Sequence, residues 1–426
     1  MAIQGALSIA RSGLIATGEA MSVTGHNIAN VNTVGYKSSR SEFAEVLSSS
    51  AGGGPGAGMG VQMRGASSNF SGGSIESTGR STDLAVEGRG LFVLRDGESV
   101  VYSRAGDFRR QADNQLVNNS GLVVQGYALD DEGQVVGGLT DIDLGSSGSQ
   151  PTATTRIELT NNVSATAPEI TGGFDGTDFD TAYASSSYTT TVRAFDTLGR
   201  AQNLTLFFTR TGANAWDVNV GVDAAATGGT PGNLAILGTA SLTFDGTGAL
   251  TAPAPTDVSV TFDGAEAQTF TLDFGTPSVS VGDGLGFDGV TQTGGATTLT
   301  VDQDGFPAGQ LAEVSVDAQG VVTGIFDNGQ TRPLYRIAVA GFAAPDGLEA
   351  MGGGLYRETA SSGPATVGGA GEGGLGRIVA AALERSNVEL AQEFVDLIAL
   401  QRSFQANARM VTTSDSLLSD LISIVR

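Results

Sequence analysis

Apolar positions recur every seven residues at both ends of the chain and every two residues across much of the middle. Near the N-terminus Leu7, Leu14, Met21 and Ile28 form one heptad track, with Ile3, Ala10, Thr17 and Thr24 interleaved. Near the C-terminus Leu383, Leu390, Leu397, Phe404, Val411 and Leu418 repeat the spacing, and Phe394, Leu400, Leu421 and Ile422 widen the stripe. A repeat of seven keeps one seam of a helix turned toward a partner. At the usual rise the two helices measure about 42 and 60 Å. Asn387, Gln401 and Asp415 interrupt the neighbouring core track. Two ordinary amphipathic helices on a globular core are the other account of the same pattern.

Between these ends the pattern changes to strands. Stretches such as GLFVLRDGESVVYSRAGDF and SYTTTVRAFDTLGRAQNLTLFFTR alternate or run in β-branched and aromatic residues between Gly, Asp and Asn turns. Phe-Asp-Gly occurs at Phe174, Phe244, Phe262 and Phe287, where an aromatic closes a strand and Asp-Gly opens a turn. The Gly-rich segments Ser48–Gly60 and Ser361–Gly376 each separate a terminal helix from the β region and read as flexible connectors. The predicted organisation is a terminal helical coiled-coil domain (1–30 and 378–426) and connecting segments (31–70 and 361–377). A split β-domain (71–145 and 307–360) is interrupted by an acidic outer β-domain (146–306). The fold class is therefore mixed but mainly β, with N- and C-terminal α-helices forming a coiled-coil core and one of two β-rich domains inserted in the other.

Composition sharpens the division. From Thr211 to Thr331 there is no Lys or Arg but there are fourteen Asp or Glu. Such a segment repels itself and stays hydrated, which suits an outward-facing domain. The net charge of −23 argues against nucleic acid as a partner, and no apolar run is long enough to insert in a membrane. The N-terminus lacks the compact apolar core and cleavage site of a secretory signal. Without cysteine and with a single histidine, thiolate chemistry and multi-histidine metal sites are excluded. No Ser lies in a G-x-S-x-G elbow, and Gly52-x-Gly54-x-x-Ala57 neither follows a clear strand nor opens a helix. No catalytic, cofactor-binding or metal-binding residue is assigned, and the chain is expected not to be an enzyme.

The stretch TGHNIANVNTVGYKSSRSEF, Thr24 to Phe43, contains the only histidine, His26, and the only lysine, Lys37. It follows the first heptad helix, so a structural device is expected there. Asn27 and Asn30 can bond freed backbone groups, and Gly35 tolerates the turn. Tyr36, Lys37, Arg40 and Phe43 are expected to form an aromatic and basic patch that meets a neighbouring subunit.

NIANVNTVGYKSSRSEF resembles the N-terminal signature of the bacterial flagellar axial proteins, the rod and hook subunits. FSGGSIESTGRSTDLAVEGRGLFVLRDG is similar to the start of their shared β-domain, and ALERSNVELAQEFVDLIALQRSFQANARMVTTSDSLLSDLI to their terminal coiled-coil segment. His26 departs from the pattern, since the family usually shows Asn before NIAN. The long insertion and the stretch VDQDGFPAGQ to SSGPA are more similar to hook than to rod subunits.

The resemblance implies a self-assembling homopolymer forming a flexible curved tube, a universal joint that passes torque from rod to filament. It also implies export through the flagellar apparatus without a cleaved signal. The implied partners are the chain itself, rod, hook cap, hook–filament junction proteins, the export apparatus and chaperones. A distal rod subunit with an insertion and a secreted β-rich adhesin remain as alternatives.

Overall fold

The computed structural model describes residues 2–47, 58–145, 148–253, 255–279 and 285–424, with the side chains of 2–4, 161, 418 and 420–424 left aside. Strand accounts for 46% of residues and helix for 17%, so the chain is mainly β. The α-helices are α1 (Ala2–Ala29), α2 (Phe179–Ala184) and α3 (Leu390–Ile424). The chain divides into two compact units. The first holds residues 1–147, 312–325 and 331–426, and the second 148–311 and 326–330.

In the first unit α1 and α3 pack against each other. Gly13 faces Asn407, while Asn27 bonds to Glu393. Rising numbers in α1 meet falling numbers in α3, so the pair is antiparallel. The buried positions of α1 follow the interleaved heptad track at Ala10, Thr17 and Thr24 rather than the leucine track. Ala10, Gly13, Ala16, Thr17, Ala20, Thr24 and Asn27 are buried, whereas Leu7, Leu14, Met21 and Ile28 are half-buried. Gly13 leaves room for the Asn407 side chain of α3; a Cβ there would stand 2.7 Å from Asn407 Nδ2. The antiparallel strands β1 (Ser39–Leu47) and β2 (Gly58–Ser68) lie along α1, with Val61 N–H donating to Ser12 Oγ at 3.1 Å.

The sheet of this unit centres on Thr331–Gly341, which pairs with Val123–Leu129, Leu91–Asp96 and Thr366–Gly369. Leu91, Val93, Tyr102, Ala338, Ala340 and Tyr356 form its core. Thr366–Gly369 lies within the expected second connector, which is therefore folded into the sheet. The first connecting segment likewise contains β1 and β2, and most of its Gly-rich stretch, 48–57, lies outside the described residues.

The C-terminal helix also starts later than its heptads suggest. Arg377–Ala380 pairs with Leu84–Glu87, and Ala382–Glu384 with Ile75–Ser77. Leu383 is thus a strand residue opposite Glu76. Distant strand partners override the local helical pattern.

The second unit contains two five-stranded sheets. One has the order Thr256–Thr261, Ala267–Asp273, Arg156–Ser164 and Val290–Thr293, with Thr298–Gln303 also against Arg156–Ser164; the other runs Tyr188–Phe195, Ala201–Gly212, Ala215–Asp223, Leu234–Phe244 and Leu250–Ala252. Both contribute to one core containing Leu159, Phe208, Trp216, Val218, Phe270 and Leu272. Inward residues alternate with outward ones in Thr256–Thr261 and at the start of Ala267–Asp273, whereas residues 204–209 and 218–222 are buried throughout. The Phe-Asp-Gly turns work as expected at Phe244 and Phe262. Both rings are buried, and Asp245 accepts from the backbone of Thr247 and Ala249.

Candidate functional site

The stretch after α1 ends in a junction of hydrogen bonds. At the helix end Asn30 N–H and its Nδ2 both donate to the His26 carbonyl, at 3.1 and 2.9 Å. Asn30 thus caps freed backbone, and His26 itself is exposed.

Asn27 is buried and serves several partners. Its Nδ2 donates to the Ser39 carbonyl and to Glu393 Oε1, each at 2.8 Å. Its Oδ1 accepts from Ser39 N–H at 2.9 Å and from Tyr36 Oη at 3.1 Å. One amide therefore ties α1, the following turn, β1 and the first turn of α3 together. Burial, with Asp396 adding to it, raises the Glu393 carboxyl above its ordinary value, although the Asn27 bond pulls the other way.

Gly35 adopts φ +65°, and a Cβ there would stand 2.5 Å from Ala105 N. Its N–H donates to the Glu384 carbonyl at 2.8 Å. The glycine lets the chain lie against the backbone that carries Arg104, a conformation and distance that a side chain would prevent.

Lys37 then enters the interior. Its side chain is 1% exposed; Nζ donates to Glu384 Oε1 at 2.7 Å and to the Ser71 carbonyl at 2.6 Å. The other Glu384 oxygen accepts from Arg104 Nε, and Gly73 N–H adds a bond to Oε1 at 2.7 Å. Arg104 Nη2 donates to the carbonyls of Val86 and Gly88 at 2.6 and 2.8 Å, and Nη1 to that of Gly90. Burial alone would raise the Glu384 carboxyl, but Arg104, Lys37 and the Gly73 N–H hold it below its ordinary value.

The expected patch of Tyr36, Lys37, Arg40 and Phe43 is therefore split. Arg40 and Phe43 are exposed, Tyr36 is half-buried, and Lys37 is withdrawn from any neighbouring subunit. The reason is electrostatic: Glu384, 347 residues away in sequence, supplies the countercharge. Nothing in the linear spacing links these two, and Glu384, Arg104 and Asn407 are absent from the sequence-derived set. The isolated lysine was the available signal. Asn387, expected to interrupt a helical seam, precedes α3. Its Oδ1 accepts from Ser38 N–H at 2.7 Å, and its Nδ2 donates to the Asn69 carbonyl at 2.9 Å.

Along α3 the expected assembly residues separate into two groups. Leu397, Leu400 and Val411 are half-buried, while Leu390, Phe394 and Phe404 are between 40% and 49% exposed. The Leu418 side chain lies outside the described residues. Val395, Ile398, Met410 and Leu417 add to the exposed apolar surface. No helix of the described residues is long and apolar enough to cross a membrane.

Four family descriptions match successive parts of the chain. They are a flagella basal body rod protein over 7–37, the flagellar hook protein FlgE/F/G D1 domain over 85–165, the flagellar basal body protein FlaE D2 domain over 158–306, and the flagellar basal body rod FlgEFG protein C-terminal region over 379–424. The flagellar hook protein FlgE of Escherichia coli is 32% identical, covering 98% of this chain and 100% of that protein. That of Borreliella burgdorferi is 32% identical over 94% of this chain and 95% of its own. The crystal structure of Helicobacter pylori flagellar hook protein FlgE2 gives a TM-score of 0.44 at 16% identity, covering 71% of this chain and 98% of that one. The assignment rests on the sequence relatives, which run from end to end: the chain belongs to the flagellar hook protein family.

Proposed function

We propose that the chain is a structural subunit of the bacterial flagellar hook, acting by self-assembly rather than by catalysis. The end-to-end relationship to the Escherichia coli hook protein carries this reading. The exposed apolar side chains of α3, Phe394, Val395, Ile398, Phe404, Met410 and Leu417, support it, because so much uncovered apolar surface on one helix asks for a protein partner. Copies of α3 and α1 are the proposed lining of a tube, with Leu7, Leu14, Met21, Ile28, Leu390, Leu397, Leu400, Val411 and Leu418 in the assembly core. Arg40 and Phe43 are proposed subunit contacts.

The second unit is the inserted domain of this reading and faces water, as the absence of Lys and Arg from Thr211 to Thr331, most of which lies in it, favours. The subunit is exported through the flagellar apparatus, meets rod, cap and hook–filament junction proteins, and forms a curved tube that acts as a universal joint for torque. The location is the hook of the flagellum, outside the cell.

The test is electron microscopy of the full chain concentrated in a salting-out buffer, beside the double variant Phe394→Asp/Ile398→Asp. Both residues are about half exposed (49% and 50%), so the variant chain should fold. Charge on the apolar face should abolish polymerisation. Curved tubes from the parent alone support the reading. Straight tubes favour a rod subunit, and tubes from both chains remove α3 from the assembly core.

A further inference from the structure

We infer that Lys37, Glu384 and Arg104 form an ionic joint that makes the helical pair and the β-sheet of the first unit open and close together. Lys37 lies just beyond α1, Glu384 just before α3, and Arg104 directly after the sheet strand Ser99–Ser103. Their side chains are between 1% and 4% exposed.

Two cations share one carboxylate, so the cluster carries one net positive charge away from water. The excess is met by carbonyl oxygens: Ser71 for Lys37, and Val86, Gly88 and Gly90 for Arg104. Stability alone is a poor account of this arrangement, because apolar residues of equal volume often hold a core as well or better. A charged cluster adds a different property. Withdrawing Glu384 leaves two buried cations without their partner, so parting the segment that carries it from the other two is penalised more than it would be in an apolar contact. Three segments that meet only through the fold are thereby bound into one cooperative element. The purpose assigned to the joint, carrying force from helices to sheet, rests on the hook reading; its existence does not.

The composition provides the probes. Lys37 is the only lysine and Trp216, buried in the second unit, the only tryptophan. In the full native chain, acylation of Lys37 by a succinimidyl ester should be at least about 100-fold slower than in the denatured chain, since a buried amine reacts only after local opening. Glu384→Gln keeps the volume but strands two cations. It should raise amide exchange by about 100-fold, in concert, at residues 24–40, 84–106 and 384–400, and unmask Lys37. Lys37→Met leaves the Glu384–Arg104 pair neutral and should raise exchange there by less than about 10-fold. Trp216 fluorescence melting should be unchanged in both.

Equal effects of the two variants, including loss of the whole first unit in both, would overturn the joint in favour of simple packing. So would exchange confined to 84–106 with the helices still protected, or native Lys37 reacting as fast as in the denatured chain. None of these measurements needs a polymer, so failure of the hook reading would leave them standing.

Discussion

Asn27 shows how much structure a single side chain can organise. Its amide supplies both donors and accepts twice, so truncation leaves Ser39, Tyr36 and Glu393 each short of a partner. Asn27→Ala should destabilise the junction by about 2–4 kcal/mol, summed over the groups left unsatisfied. The check is amide exchange at residues 36–40, which should accelerate while the second unit stays protected. Gly35 makes a separate demand, through backbone geometry. Gly35→Ala places a methyl group 2.5 Å from Ala105 N at φ +65°. It should cost more than about 2 kcal/mol in denaturant unfolding of the first unit. A smaller loss would mean that the segment shifts away from the Arg104 backbone with little resistance.

At the scale of elements, the acidic second unit uses carboxylates as turn caps. Hydrogen bonds from Thr247 hold the Asp245 carboxyl below its ordinary value of 3.8, and Thr276 does the same for Asp288. Burial would raise Asp196 and Asp304, but Arg200 and the backbone N–H groups outweigh it at the first, and Thr155 with neighbouring N–H groups at the second. A carboxyl whose pKa is depressed by folding contributes stability above its unfolded pKa, and that contribution is lost as pH falls through the folded value. Melting of this unit, followed by Trp216 fluorescence, should therefore hold between pH 7 and about 5, then fall progressively below about pH 4. A melting temperature flat to pH 2 would show that these caps contribute nothing measurable.

Elements also show where linear pattern misleads. The period-seven track passes through Leu383 without a break, yet the chain there is a strand. Alternation marked strands such as Thr256–Thr261 in the second unit, while continuous β-branched and aromatic runs marked Ala201–Gly212, which is buried on both faces over residues 204–209. The Gly-rich 361–377 stretch reads as loose in sequence, but Thr366–Gly369 is held by a sheet neighbour.

For the whole molecule, the two faces of the terminal helices carry different instructions. Small residues of α1 close the antiparallel pair within one chain. Large apolar residues of α3 remain outside it. This division accounts for a subunit that folds its own ends together and still has apolar surface for assembly. Gly13→Leu tests the inner face. Its added carbons displace the Asn407 side chain, so the contact of α1 with α3 should loosen, with exchange rising in both helices while the second unit keeps its melting curve. Unchanged protection would mean that the helices hold their places without close packing at Gly13.

The sequence by itself determined the helical ends, the β-rich middle, the contrast in charge and the family, because periodicity, composition and local motifs are readable along the chain. Only the tertiary structure decided that Lys37 is buried and paired, that Leu383 belongs to a strand, and that small residues rather than leucines close the helix pair. Each of these depends on a partner hundreds of residues away, whose countercharge, strand edge or facing helix decides between readings that the linear pattern leaves equal.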